Sequence, residues 1–150
     1  MGRLVPNPFF RGRKPVKFDA SAFVADPELV KALEERSKPI ACEADHLLFR
    51  QGDAPAGLYV LHAGEVSLKM ESPRGKSIVS AKAAPGSLLG LPGLIGNAVY
   101  TLTAVAHAGA QLGFIERDEF MQLMQSDPMI SFKILQVLAA EVRSARGAIR

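Results

Sequence analysis

LFRQGDAPAGLYVLHAGEV, residues 48–66, carries more architectural information than any other stretch of this 150-residue chain. Leu48-Phe49 closes one short apolar run, Gly52-Asp53 supplies a turn, Leu58 to His62 forms a second run, and Ala63-Gly64 turns again before Val66. Short apolar runs punctuated by glycine turns predict strands joined by tight connections. Outward from this core, Ile40 to Glu43, Leu47 to Phe49, Leu58 to His62 and Val66 to Met70 read as strands, and Lys76 to Lys82 continues the series. Ser72-Pro73-Arg74-Gly75 and Pro85-Gly86 are turn signals, and Tyr100 to Ala106 and Gln111 to Glu116 complete the set. About seven or eight short strands at this spacing point to a sandwich, jelly roll or barrel.

Helical patterning flanks the strands. Asp26-Pro27 opens a short helix as N-cap and first helical residue, Leu29, Val30 and Leu33 give its apolar face, and Ser37-Lys38-Pro39 ends it. Helical spacing returns at Arg117, with Phe120, Leu123 and Met124 on one face. Asp127-Pro128 then starts a last helix running towards Arg150, with Ile130, Ile134, Leu138, Val142, Ala145 and Ile149 three or four apart. Three segments follow: a basic flexible N-terminal arm over 1–17, a β-roll with flanking helices over 18–126, and a C-terminal helix over 127–150.

Composition narrows the function classes. Hydrophobic residues at 48% and charged residues at 22% are ordinary for a globular domain. A single cysteine, Cys42, excludes an internal disulfide and any iron–sulfur or four-cysteine metal site built from one chain. No apolar run approaches the ~20 residues that span a bilayer, so no membrane association is expected, and a cytoplasmic location is. The net charge of +3 is unevenly placed: Arg3, Arg11, Arg13, Lys14 and Lys17 precede any acid, leaving 13 basic against 15 acidic residues from Phe18 onward. Such an arm suits nucleic acid or anionic lipid, or simply water. No serine elbow, paired His/Cys nucleophile or enzyme-type phosphate loop occurs, and Asp118-Glu119 suit the start of a helix, so an enzyme is not expected.

The residues 48–66, with Leu48-Phe49, Gly52-Asp53, Leu58-Tyr59-Val60-Leu61 and Gly64 in place, resemble the Crp/Fnr family of cyclic-nucleotide-binding-like regulators. Pro55 replaces the small residue usual at its position. The resemblance implies a mainly β fold with flanking α, a cyclic-nucleotide-binding-like double-stranded β-helix (jelly roll) followed by a long C-terminal helix. It covers about residues 18–150 and none of the helix-turn-helix reader that follows in full-length members, so no specific DNA binding by this chain is expected.

The family's phosphate-binding cassette falls on GSLLGLPGLIGNAVYTLTAVAHA, residues 86–108. Nucleotide-binding members carry a Gly-Glu pair and, further on, Arg-Ser/Thr-Ala; the glutamate takes the ribose hydroxyl and the arginine the cyclic phosphate. Here Leu89-Gly90 matches, but the Glu position is Leu91; Thr103-Ala104 matches, but the Arg position is Leu102. Loss of one partner of a buried charge pair costs ~2–5 kcal/mol, or roughly 30- to 4,000-fold in affinity. Backbone N–H groups within Leu91 to Gly93, at a short helix start, suit an anion but are not expected to make up that loss. Ordinary cyclic AMP recognition is therefore not expected. Two leucines either fill the pocket themselves or re-line it for a less polar effector, with Tyr100, Thr101 and Thr103 offering hydroxyls; Thr101 and Thr103, as alternate strand residues, share a face. The candidate ligand site is thus Leu89 to Gly93 together with Tyr100 to Ala104, with degenerate nucleotide binding through backbone amides as a further alternative.

No metal or cofactor is predicted. Some family members hold haem, for which His46, His62 and His107 would have to serve as axial ligands, but no histidine pair has metal-ligand spacing and haem is not expected. The last helix of the family pairs with its two-fold mate. Ile134, Leu138, Val142, Ala145 and Ile149 form the expected homodimer seam, while Leu135 and Val137 face the barrel.

Overall fold

The computed structural model describes Val16–Lys17 and residues 24–149, with side chains described from 24 to 142. The basic arm, apart from its last two residues, lies outside the described residues. In chain order the elements are β1 (Val16–Lys17), α1 (Pro27–Glu34), β2 (Lys38–Ala41), β3 (His46–Phe49), β4 (Gly57–Ala63), β5 (Val66–Glu71) and β6 (Ser77–Ala83). They continue with β7 (Leu88–Leu89), α2 (Leu91–Ile95), β8 (Thr103–Ala106), β9 (Gln111–Glu116), α3 (Arg117–Ser126) and α4 (Pro128–Ile149). Two sheets result, one ordered β1-β6-β5-β8-β3 and the other β2-β9-β4-β7. This is the jelly roll with a long last helix that the sequence predicts. β1, at the end of the predicted arm, lies parallel to β6 with Val16 opposite Val79.

Local chemistry sets the ends of the helices. Asp26 accepts a hydrogen bond from the Leu29 N–H at 2.9 Å and Pro27 occupies the first turn, so α1 begins where its cap stands. Asp127 accepts from the amides of Met129 and Ile130 at 3.1 and 3.3 Å, which opens α4 in the same way. Lys133 of α4 reaches back to the Asp26 carboxylate at 3.0 Å and ties the two helices together.

Apolar side chains divide into two compartments. Between the sheets lie Phe49, Leu61, Val66, Leu68, Leu89 and Leu112, with Ala104 and Ala106 beneath them. On the outer side of the four-stranded sheet, Leu58, Val60, Leu88 and Ile115 meet Leu29 and Leu33 of α1, Phe120 and Leu123 of α3, and Ile130, Ile134 and Val137 of α4. Alternation along β7 sends Leu88 to the outer compartment and Leu89 to the inner one. The helices are therefore held by the back of the sheet whose front lines the roll.

The predicted seam on the last helix is corrected by this packing. Ile134 is fully buried in the outer compartment and Leu138 is half-buried against it. Val137 is buried as expected, but Leu135 is 57% exposed. Docking of Ile130, Ile134 and Val137 onto the other helices sets the rotation of α4 and leaves Met129, Phe132, Leu135 and Val142 outside. Phe132, Leu135, Ala139 and Val142 repeat at the alternating three- and four-residue spacing of a coiled-coil face. The side chains of Ala145 and Ile149 lie outside the described residues.

Candidate functional site

The cassette begins where β7 leaves the four-stranded sheet, with Leu89 opposite Tyr59. Gly90 caps α2 at φ +93°, and a Cβ there would lie 2.7 Å from Cε1 of Tyr100, so only glycine serves both the turn and the contact. After α2 the chain runs through Val99 to Leu102 as a loop, and β8 starts only at Thr103. The predicted strand from Tyr100 is thus shorter at its start. Tyr100 instead binds the turn after β3: its N–H donates to the Asp53 carbonyl at 2.9 Å, and its carbonyl accepts from the Gly52 N–H at 2.8 Å.

The Tyr100 ring stacks on Phe49 with centroids 4.0 Å apart, and its hydroxyl donates to the Gly57 carbonyl at 2.8 Å while accepting from the Gly57 N–H at 3.3 Å. Burial raises the pKa of this phenol, which keeps it a donor. Its hydrogen bonds are spent on the frame, so Tyr100 does not offer the free hydroxyl expected of it. Thr103 is likewise engaged, accepting from the Gln51 N–H at 2.9 Å on the outer side of the five-stranded sheet. Thr101 and Thr103 do not share a face, because the loop breaks the alternation between them.

A cavity of about 250 Å³ lies between the cassette, the five-stranded sheet and α4. Leu89, Gly90, Pro92, Thr101 and Leu102 of the predicted site line it. Leu91 does not: it is fully buried in the outer compartment with Leu94. Gly93 is buried within α2, and Ala104 is buried between the sheets. Phe49, Leu68 and Met70 form the opposite wall, and Glu141 and Val142 of α4 close it. No lysine, arginine or histidine is among these lining residues.

Glu141 is the polar residue that the sequence reading missed. It is 9% exposed, and its Oε2 is sealed from solvent with no hydrogen-bond partner among the described residues. Burial pushes its pKa up to about 8. The signal was present in the helix phase: Glu141 continues the buried stripe Ile130, Ile134, Val137 at the next helical step.

The histidines are placed elsewhere. His107 shares a 2.6 Å hydrogen bond with the Ser67 hydroxyl on the outer side of the five-stranded sheet. Its Nδ1 stands 3.7 Å from an Asp45 oxygen that already accepts from the Ala108 N–H at 2.9 Å. A serine, histidine and aspartate in sequence of contact suggest a triad, but 3.7 Å is too long for the orienting hydrogen bond. Among the described residues no group of three or more His, Cys, Asp or Glu is placed to hold a metal, and no helix is long and apolar enough to cross a membrane.

Comparison with known proteins agrees with this architecture. The family described as "Cyclic nucleotide-binding domain" matches residues 39–127. The chain is 27% identical over 139 residues to the "Cyclic AMP receptor protein" of Thermus thermophilus, covering 93% of this chain and 59% of that one. It is 23% identical over 118 residues to the "CRP-like cAMP-activated global transcriptional regulator" of Mycobacterium tuberculosis, covering 79% of this chain and 53% of that one. The crystal structure of the Thermus thermophilus catabolite activator protein superposes with a TM-score of 0.70 at 25% identity, over 81% of this chain and 57% of that one. The chain thus spans little more than half the length of these relatives.

Proposed function

From the premise that this chain belongs to the cyclic nucleotide-binding domain family, of Crp/Fnr type, we propose that it is a sensor unit for a small effector other than cyclic AMP. The observation that carries this reading is the charge of the cavity: among the described residues its lining holds one acid and no base. A cyclic phosphate placed there would lose its hydration without gaining a counter-charge, a cost of several kcal/mol by order of magnitude. Relatives named for cyclic AMP set the expectation from which this lining departs.

The remaining space favours a re-lined pocket over a self-filled one. Leu89 and Leu102 border the cavity without closing it, and Leu91, which would have been the second filler, is turned into the outer compartment. The effector acts through α4, because Glu141 and Val142 touch the cavity while Ile130, Ile134 and Val137 hold the same helix to the body. A ligand shifts such an element only through its different affinity for two positions of it. The partner is a second copy of this chain, seated on the exposed Phe132, Leu135, Ala139 and Val142 face, whose heptad spacing is complementary to itself.

Native mass spectrometry of the purified protein tests both parts in one spectrum. A dimer carrying extra small-molecule mass supports the reading and weighs the effector. A bare dimer that also fails to retain added small apolar molecules favours a ligand-free interaction module. Retention of added cyclic AMP at micromolar concentration would return the chain to nucleotide binding through backbone amides and refute the proposal.

A further inference from the structure

Glu141 is hard to explain as scaffold. An acid on the buried stripe of a helix costs stability, and here nothing among the described residues repays it: Oε2 has no hydrogen-bond partner and no exposure to water. The remainder of the cavity is apolar, apart from the Thr101 side chain and the backbone at Gly90. An unpaired polar atom at the edge of an apolar cavity is the arrangement expected of a ligand-binding site.

Resting on the reading of this cavity as the effector site, we infer that the effector is a small, mainly apolar molecule bearing one hydrogen-bond-donating nitrogen, which Glu141 receives. The walls contributed by Phe49, Leu68, Met70 and Leu102 take the apolar body. Two heads share the required N–H. An ammonium would draw the carboxyl into its ionised form and make a charge-assisted hydrogen bond. A primary amide would give its N–H to the carboxyl oxygen and accept the carboxyl proton on its own carbonyl. Since burial holds Glu141 near a pKa of about 8, its carboxyl is mostly protonated at neutral pH before a ligand binds, and both heads are accommodated with the exchange of at most one proton. A phosphate meets a single weak donor and no base among the described lining residues, so it is the head that the site rejects.

Ligand-observed saturation-transfer NMR at millimolar probe concentration tests the inference, using benzylamine, benzamide, phenyl phosphate and toluene, which share one ring. Wild type, Glu141→Gln and Glu141→Leu are compared, with oligomeric state followed by size-exclusion chromatography. The expected result is binding of benzylamine or benzamide about tenfold or more tighter than phenyl phosphate. Loss of the ammonium's advantage in both variants, with toluene unchanged, is expected alongside it. Comparable binding of phenyl phosphate, benzylamine binding unaffected by Glu141→Gln, or benzamide binding unaffected by Glu141→Leu, would overturn it while leaving the effector pocket standing. A dimer that dissociates on Glu141→Gln would also overturn it, since the carboxyl would then belong to the subunit interface. Failure of every probe, toluene included, would instead remove the pocket itself.

Discussion

Replacing Glu141 by glutamine keeps the size of the side chain and removes its proton equilibrium, which makes the pair of proteins a direct probe of the buried carboxyl. The folded pKa of about 8 stands above the unfolded value of 4.5, so between these two pH values the folded protein holds a proton that the unfolded chain has released. Stability from this group is therefore complete below 4.5 and is lost as pH rises through 8. At about 1.4 kcal/mol per pH unit the full window corresponds to on the order of 5 kcal/mol, and the interval from pH 5 to pH 7 to about 2–3 kcal/mol. For a domain of this length that is a fall in Tm of about 5–10 °C. Glutamine has no such slope. Thermal unfolding followed by circular dichroism at steps from pH 5 to pH 9 gives the difference between the two proteins, in which groups titrating alike in both cancel. Wild type should lose stability relative to Glu141→Gln as pH rises. Parallel curves, or a wild type gaining on the variant, would refute the burial of an unpaired carboxyl.

Three other substitutions test the frame around the site. Tyr100→Phe removes the hydroxyl bonded to both the N–H and the carbonyl of Gly57, and should lower stability by about 1–3 kcal/mol in urea titration without altering ring stacking on Phe49. Asp26→Ala takes away the α1 cap and the Lys133 contact and should cost about 1 kcal/mol at neutral pH. The Leu29 amide, followed by Lys133, holds the Asp26 carboxyl below its usual value, so this difference should shrink only as pH falls through the acid range below 3.8. Leu91→Glu places a carboxyl in the fully buried outer compartment rather than in the cavity, and should leave too little folded protein at neutral pH for a sharp thermal transition. A well-folded Leu91→Glu protein that gains cyclic AMP affinity would mean that this residue faces the cavity after all.

Elements framed by local chemistry were legible in the sequence. The Asp26-Pro27 start of α1, the strand Gln111–Glu116 and the onset of α3 at Arg117 fall where turn, cap and period signals put them. What was not legible depends on neighbours distant in the chain. Tyr100 and Leu102 read as strand because apolar and threonine residues alternate there, yet the Tyr100 backbone bonds to Gly52 and Asp53 instead of to a strand. α4 is apolar on two stripes, Ile130-Ile134-Val137 and Phe132-Leu135-Val142, and only its docking onto α1 and α3 decides which is inside. The cassette's two leucines show the same limit: Leu91, the first residue of α2, packs in the outer compartment, while Leu102, in the loop before β8, stays at the cavity. The half of the cavity built by Phe49, Leu68, Met70 and Glu141 comes from β3, β5 and α4, which no contiguous motif brings together.

β4 is a party wall. Leu58 and Val60 face the helices, Tyr59 and Leu61 face the interior of the roll, and the strand is hydrogen-bonded on both edges, to β9 and to β7. Removal of this strand would take a wall from both compartments at once, which couples the unfolding of the roll to that of its helices. The amides of β4 should be the last in the molecule to exchange with deuterium, through global unfolding alone. α4 takes part in that wall on one stripe alone: Ile130, Ile134 and Val137 are built into it, while Phe132, Leu135 and Val142 stand outside it, so a partner can be gained or lost on that second stripe without breaching the wall.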